Sequence, residues 1–465
     1  MIDGNSVDVP LDKVKLNRSI IGIWVLCAAV LFLDGYDLTV ISFIAPELVK
    51  EFGFDKSALG PLFAATLVGF ALGGTFGGWT GDRYGRRFTV ISCCFIFGFA
   101  TLAMLLATTI GQMAACRFVV GLGLGGALPT ATALTAEFAP RRLRNKVLAL
   151  VSTAVPLGAI IPGVLTATLV HTYGWRVLAI VGGVLPILLG FVLIFAMPES
   201  LKFLALRPER SARLAALLKR LDPNLQWAPS FEASTATPQG ASLARLFSDG
   251  LAGITLLIWV LFFMNAMALY LVISWLPLVL QSLGMSIQQA GQFSAMFAAA
   301  GLIGGLAIAA LISWAGIALL PAMFILAVPF LLMFAAPDLS HAAIVLCVLI
   351  PGVSVGALQV GCSTMAGLLY PTAVRATGVG WGLGIGRIGA ILGPLVGTAV
   401  FALQLPPQQM FAFAAAPMAI GAIGAIILSV LCYRRFGSLQ VDDTAQKERS
   451  RVLPVAGSES AGQVP

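Results

Sequence analysis

The sequence predicts an all-α membrane protein whose twelve transmembrane helices form two pseudo-symmetric bundles of six. Three observations lead to this prediction: the composition, the lengths of the apolar runs, and an internal repeat. Of the 465 residues, 59% are hydrophobic and 10% are charged, and the mean hydropathy is +0.96. Soluble domains carry roughly a quarter charged residues, so the composition alone assigns most of this chain to a bilayer.

The apolar runs between polar breaks are each long enough to cross the hydrocarbon core, which takes about 20 helical residues. The first six predicted spans cover residues 20–46, 58–80, 88–108, 111–135, 146–169 and 175–197. The second six cover residues 251–280, 288–313, 317–336, 340–369, 376–402 and 409–433.

These spans divide the chain into two six-helix bundles, 20–197 and 251–436. Residues 198–250 between them are polar and contain several prolines, which favours a cytoplasmic linker. A short cytoplasmic segment, 1–19, precedes the first bundle. Residues 437–465 have the polar composition of a disordered cytoplasmic tail.

The distribution of Lys and Arg predicts that both termini are cytoplasmic, because cytoplasmic loops retain basic residues during insertion. With the N-terminus inside, the outer loops carry only Lys50, Lys56 and Arg176. The inner segments then hold the other basic residues that lie outside the spans. The net charge of +8 therefore reflects topology, and we expect no nucleic-acid partner.

Local similarities recur at one separation, 231 residues, which is close to half the chain. Eight residues of the first half match residues of the same type in the second half: Pro140 with Pro371, Arg144 with Arg375, Gly158, Ala159 and Ile160 with Gly389, Ala390 and Ile391, and Gly73, Gly74 and Gly85 with Gly304, Gly305 and Gly316. Agreement in one register predicts a duplicated six-helix unit. Transporters built from repeats place the solute site between the halves. The same offset carries Asp34 onto Asn265, so the charge chemistry is predicted to lie in the first half.

Two acids, Asp34 and Asp37, lie deep in the first span and share one helix face because they are three residues apart. A charge at the bilayer centre costs at least about 2.5–3.5 kcal/mol, so such residues normally face a cavity and serve a function. Burial away from cations favours the neutral, protonated carboxyl group, and proton coupling requires that form. The alternative is a structural ion pair or a hydrogen bond between helices.

Two arginines also lie inside spans, and Arg387, near the middle of the eleventh, is the better candidate for binding a solute. A guanidinium group stays charged and grips a carboxylate through two parallel hydrogen bonds, which predicts an organic anion. Arg117 in the fourth span is the second candidate. A structural pairing of Arg387 with Asp34 or Asp37 remains open. Three further side chains could bond ring hydroxyls or stack on a ring: Asn265, Tyr270 and Gln359.

The loop between the second and third spans, GGWTGDRYGRR, carries the most specific motif in the chain. Its glycines permit a tight turn, and its acid can accept hydrogen bonds from a neighbouring helix N-terminus. Cytoplasmic retention alone explains the arginines but not the spacing of the glycines and the acid. We therefore predict a gate, formed by Gly81, Asp82, Arg83, Gly85, Arg86 and Arg87.

This loop resembles the G-x-x-x-D-R-x-G-R-R motif of the major facilitator superfamily. The stretches LDGYDLTVISFIAPEL, GLGLGGALPTATALTAEF and RATGVGWGLGIGRIGAILGP resemble the bacterial aromatic acid:proton symporters of that superfamily. The resemblance implies the major facilitator fold, an inner-membrane location and usually a monomer. By matching position it implies proton coupling at Asp34 and Asp37, gating at Asp82, Arg83 and Glu137, and a substrate or coupling path at Arg117 and Arg387.

We therefore predict a symporter that imports an aromatic carboxylate, such as a benzoate or hydroxybenzoate, for aromatic catabolism. The proton gradient supplies the energy, and we expect no cofactor and no metal. An exporter of drugs or organic anions from the same superfamily is one alternative. A membrane-embedded solute sensor is another. An enzyme is not expected, because no nucleophile with a base, metal-ligand spacing or cofactor loop is present.

Overall fold

The structure is a computed structural model and describes residues 16–221, 243–248, 250–336 and 338–436. Most of the predicted N-terminal segment, the middle of the predicted linker and the predicted disordered tail lie outside these residues.

Within the described residues, twelve helical segments are long and apolar enough to cross a membrane, as predicted. The first six, counted with the short 3-10 or π turns inside them, are α1 (Arg18–Phe52), α2 (Lys56–Tyr84), α3 (Arg86–Leu106), α4 (Ile110–Glu137), α5 (Arg141–Tyr173) and α6 (Arg176–Ala196). The second six are α7 (Ala252–Ser282), α8 (Ile287–Ile312), α9 (Gly316–Phe334), α10 (His341–Leu369), α11 (Val374–Ala402) and α12 (Gln409–Arg435).

Several helices run past the apolar stretches that predict them, because capping groups rather than hydropathy decide where a helix ends. Helix α1 begins after Asn17, whose side chain accepts a hydrogen bond from the Ile20 N–H at 2.9 Å. Such a cap satisfies one of the free N–H groups of the first turn. The helix ends at Gly53, which has a φ of 65°, a left-handed conformation that glycine adopts without a Cβ clash.

The two halves pack their helices in the same way. In the first half α1 packs on α5, α2 on α4 and α3 on α6. In the second half the corresponding pairs are α7 with α11, α8 with α10 and α9 with α12. The packing order therefore repeats after six helices, which is the two-bundle arrangement that the sequence predicts.

The repeat extends to individual glycine contacts. A Cβ at Gly73 of α2 would collide with the Leu122 carbonyl of α4, and a Cβ at Gly304 of α8 would collide with the Val353 carbonyl of α10. Both residues of the second pair lie 231 positions after those of the first. Glycines that admit a neighbouring backbone are typical of close helix packing in membranes. The sequence repeat is thus also a repeat of contacts.

The predicted linker is partly helical. Two short helices, Leu201–Ala205 and Ser211–Leu221, follow α6. In the second, Leu214, Leu218 and Leu221 are buried against the first bundle. Leucines at this spacing share one helix face, so the segment after α6 packs as part of the first half.

The buried apolar residues form two main clusters that differ in which halves they join. We call the end of the molecule with the α2–α3 and α4–α5 connections the basic end, since Arg83, Arg86, Arg87 and Arg141 lie there. The first-half residues of the larger cluster, such as Tyr36 and Leu59, lie toward the opposite end and pack with the second half. The other cluster, at the basic end, contains first-half residues alone. The halves therefore close at the opposite end and separate toward the basic end.

Aromatic side chains seal the closed end. Trp275 of α7 is fully buried, and its ring lies 5.3 Å from Phe63 of α2 and 5.1 Å from Phe401 of α11, measured between centroids. Its indole N–H donates to the Pro394 carbonyl at 3.1 Å. Sequence patterning alone cannot distinguish such a tryptophan from a membrane-interface anchor. Here it bridges the two halves.

Candidate functional site

A cavity of about 490 Å³ lies between the two halves, lined by α1 and α5 on one side and by α7, α8 and α10 on the other. Most of its lining is apolar, including Leu38, Pro156, Phe297 and Leu302. This volume falls in the usual range for a small-molecule site. An apolar cavity between two repeats, open toward one end, is the geometry of an alternating-access transporter.

Asp37 of α1 lies in a closed ion pair. One of its carboxylate oxygens is 3.1 Å from Arg117 Nη1 of α4, and the other accepts a hydrogen bond from the Thr101 hydroxyl of α3 at 2.9 Å. All three side chains are fully buried, and Arg117 also donates to the Met104 sulfur. This pair is the structural alternative that the sequence left open, and it places Arg117 outside the cavity lining.

Asp34, one helical turn before Asp37, has no such partners. It is fully buried, and neither carboxylate oxygen has a hydrogen-bond partner. Among the described residues, no other buried carboxyl group is in this position. Its electrostatic neighbours are Asp37, Arg387 and the Tyr270 phenol. A buried carboxylate without hydrogen bonds is costly, so this residue is the part of the site least satisfied by the rest of the fold.

Arg387 reaches from α11 of the second half to α2 of the first. Its guanidinium carbon lies 5.1 Å from the centre of the Phe70 ring, a cation–π contact. A Cβ at Gly74 would lie 2.7 Å from its Nη1, so the glycine makes room for the guanidinium group. Arg387 has neither a hydrogen-bond nor an ion-pair partner in the described part of the chain. It is a cation with its donors free, near the acid Asp34.

The remaining predicted binding residues belong to the second half. Tyr270 and Gln359 both line the cavity. Asn265, only 2% exposed, donates through Nδ2 to the Gln359 side-chain oxygen at 3.2 Å. The second half thus contributes a phenol and the Gln359 amide to the cavity lining, and Asn265 bonds to that amide from outside the lining.

The predicted gate lies at the basic end, and part of it is tied to the first half. Glu137 at the end of α4 accepts hydrogen bonds from Arg86 and from the Ser200 hydroxyl. Arg83 lies apart from this cluster, with its guanidinium carbon 5.4 Å from the centre of the Trp79 ring. The Arg86–Glu137 pair therefore holds α3 against α4, while Arg83 is exposed.

The helix N-terminus in this loop is capped by a residue that sequence reasoning missed. Gly85 has a φ of 108° and donates its N–H to the Gly81 carbonyl at 3.1 Å. Next to it, the Arg87 N–H donates to the Glu199 carboxylate at 3.0 Å. We expected Asp82 to fill this role, but its side chain is exposed. The signal that was overlooked is an acid placed directly after the sixth span, among basic loops.

The major facilitator superfamily model matches residues 27–394 of this chain. The 4-hydroxybenzoate transporter PcaK of Pseudomonas aeruginosa is 35% identical over 414 residues, which cover 87% of this chain and 91% of the relative. The gallate transporter of Pseudomonas putida is 34% identical over 422 residues, covering 88% and 93%. The inward-open xylose transporter XylE of E. coli has a TM-score of 0.67 at 17% identity, covering 88% of this chain and 95% of that structure.

Proposed function

The chain belongs to the major facilitator superfamily, and from that premise we propose that it imports an aromatic carboxylate together with a proton. The observation that carries the proposal is the pairing of Asp34 with Arg387. A buried acid without hydrogen bonds lies in the electrostatic range of a cation whose donors are free. Two relatives are named as transporters of 4-hydroxybenzoate and of gallate. The apolar cavity suits an aromatic ring, and it is lined by Tyr270, which is an electrostatic neighbour of both residues.

Anion and proton binding are coupled through this pair. When Asp34 is ionised, Arg387 is its nearest source of positive charge, and the two charges partly offset each other. When Asp34 takes up a proton, the positive charge of Arg387 is no longer offset, and its free donors bind a carboxylate more strongly. A bound carboxylate in turn favours the protonated acid, since a second negative charge nearby is unfavourable. The anion and the proton therefore bind together.

We assign the proton to Asp34 rather than to Asp37. The Asp37 carboxylate is compensated by Arg117 and Thr101, so its charge is stable without a proton. Asp34 has no equivalent bonds. In this assignment the Asp37–Arg117 pair holds α1 against α4, and Arg117 stabilises the first half instead of contacting the substrate.

Transport follows from the separation of the halves at the basic end. With the predicted cytoplasmic termini, the basic end faces the cytoplasm, and the cavity is in an inward-facing state. The outward-facing state requires the aromatic seal of Phe63, Trp275 and Phe401 to part. The Arg86–Glu137 pair lies within the first half and moves with it. We propose that the protein works as a monomer in the bacterial inner membrane, where the gradient is available.

Uptake into proteoliposomes tests this proposal. Purified protein is reconstituted, and accumulation of radiolabelled 4-hydroxybenzoate is measured with and without an inward proton gradient. We expect accumulation only with the gradient. In Asp34→Asn, accumulation is lost, but exchange of labelled for unlabelled acid continues, because exchange needs no net proton movement. If the wild-type protein fails to take up any aromatic acid, the substrate class is wrong; if uptake ignores the gradient, the coupling is wrong.

A further inference from the structure

We infer that the Asn265–Gln359 amide pair makes this transporter selective for aromatic acids that carry a ring hydroxyl group. The inference rests on the proposed function and adds a specificity determinant to it. The two residues come from different helices, α7 and α10; Gln359 lines the cavity, and Asn265 is buried next to it. Their side chains are joined by the hydrogen bond from Asn265 Nδ2 to Gln359 Oε1 at 3.2 Å.

This bond leaves unsatisfied groups at the wall. The Asn265 side-chain oxygen is buried and has no hydrogen-bond partner. The Gln359 amide nitrogen also lacks a partner among the described residues, and Gln359 lines the cavity. If both side-chain amides were rotated by 180°, so that the nitrogen and oxygen of each changed places, the pair would still have N–H donors and one free acceptor oxygen. Buried polar groups in folded proteins normally have partners, which the Asn265 oxygen lacks. Gln359 is exposed and lines the cavity, so the pair offers an acceptor and a donor to a ligand group that can both donate and accept.

Two threonine hydroxyls of the lining are occupied. Thr39 donates to the Gly35 carbonyl of its own helix at 3.1 Å, and Thr153 donates to the Leu150 carbonyl at 2.6 Å. Neither proton is available to a ligand. Tyr270 and Ser152 also present hydroxyl groups to the cavity, but Gln359 is the residue of this lining whose side chain is an amide, with N–H donors and an acceptor oxygen.

A phenolic hydroxyl fits the amide pair because it accepts one hydrogen bond and donates another. In this inference the carboxylate binds Arg387, whose electrostatic neighbour Tyr270 lines the cavity, the ring lies against the apolar lining, and the ring hydroxyl lies at Gln359. An unsubstituted ring would cover the pair and leave its groups without water or ligand. Sites built to hydrogen-bond a substrate hydroxyl reject the analogue that lacks it. Benzoate should therefore bind more weakly than its hydroxylated derivatives.

Competition binding tests the inference on the full-length protein in detergent. Dissociation constants are measured for 4-hydroxybenzoate, 3-hydroxybenzoate and benzoate, with the wild-type chain and with the near-isosteric variants Gln359→Met and Asn265→Leu. We expect at least one hydroxylated acid to bind about tenfold more tightly than benzoate, the value of one good hydrogen bond. Gln359→Met and Asn265→Leu should each abolish that preference, because the hydroxylated acids lose a hydrogen bond and benzoate no longer covers an unpaired polar group.

A matched control comes from the same helix. Ser363→Ala removes a hydroxyl one turn after Gln359 that donates to the Gln359 backbone carbonyl, and it should keep the preference. Equal affinity of the wild type for all three acids, or equal weakening of all three in Gln359→Met, would overturn the inference while the proposed function stands. Loss of the preference in Ser363→Ala would overturn the assignment to the amide pair. Failure of the wild-type protein to bind any of the acids would overturn the proposed function itself.

Discussion

Asp34 and Asn265 occupy the same position in the two halves, on α1 and α7, separated by the 231-residue repeat. Both side chains are buried, and each has at least one oxygen without a hydrogen-bond partner. They differ in chemistry, since Asp34 can bind and release a proton and Asn265 cannot. The repeat thus keeps a buried polar group with an unpaired oxygen at the same position in each half, but only the group in the first half can exchange a proton.

The comparison suggests how the work is divided. The first half carries the titratable group, while the proposed substrate contacts, Arg387, Tyr270 and the amide pair, all lie in the second. Arg387 connects the two tasks because it extends into the first half at Gly74. Coupling therefore takes place across the surface along which the halves move.

Removing the carboxyl group of Asp34 should have the largest effect on transport. Asp34→Asn makes the first half resemble the second, and we expect the gradient-driven accumulation ratio to fall to about one because no proton is carried. Exchange of labelled for unlabelled acid should persist, and its rate should no longer depend on pH. Uptake and exchange in the same proteoliposomes measure both.

The double variant Asp34→Asn with Asn265→Asp moves the acid to the equivalent position in the second half. Accumulation should not return, because Arg387 extends to Phe70 and Gly74 of the first half, where it acts on position 34. Restored accumulation would show that the two positions are interchangeable and would refute the division of labour.

Asp37→Asn should act on stability instead of coupling. It leaves the Arg117 charge buried without a counter-charge, which destabilises a protein by about 3–5 kcal/mol. We expect a marked loss of thermal stability in detergent, read by size-exclusion chromatography after heating. Replacing Asp37 by Asn and Arg117 by Met together should recover most of it, since removing both charges removes the penalty. A single variant of normal stability that still fails to accumulate substrate would assign the proton to Asp37 as well.

Gly74→Ala should displace Arg387, because the new methyl group would overlap its Nη1. We expect the KM for uptake to rise about tenfold, equivalent to roughly 1.4 kcal/mol. Gly78→Ala is the matched control, one turn later on α2, where a Cβ meets no atom within 4 Å. An equal rise in both variants would mean that α2 packing, and not the position of Arg387, sets the affinity.

Glu199→Gln should have a small effect, because this carboxylate is partly exposed and lies far from both central residues. It removes a negative charge from the N-terminus of α3, where such a charge contributes about 0.3–1 kcal/mol. A slight fall in thermal stability is expected, with unchanged proton coupling. If coupling also fails, the basic-end loop takes part in proton transfer and the division above is incomplete.

The spans, the repeat and the list of intramembrane charges could all be predicted from the sequence, because hydropathy and residue spacing are local properties. The separate roles of Asp34 and Asp37 could not. Both lie on one face of one helix, and what distinguishes them is Arg117 and Thr101, which approach from α4 and α3. The cap by Glu199 was missed for the same reason, since its partner Arg87 lies 112 positions earlier in the chain.

The helical part of the predicted linker was missed for a different reason. The leucines that bury Ser211–Leu221 against the first bundle stand in a polar, charged stretch, and the average polarity of the stretch hides their helical spacing. The closure of one end could not be predicted either, because it depends on how two bundles meet.

Asp34 is the one buried acid without a hydrogen-bond partner among the described residues, and this has an electrical consequence. If Asp34 is the one group that exchanges protons, each carboxylate crosses with a single proton, and the loaded carrier moves no net charge. Membrane voltage acts on net charge with about 2.3 kcal/mol per 100 mV, so it would contribute nothing to this cycle. Potassium diffusion potentials imposed at equal pH should leave the accumulation ratio unchanged. A cell that keeps a large voltage but little pH difference would then be unable to concentrate this nutrient.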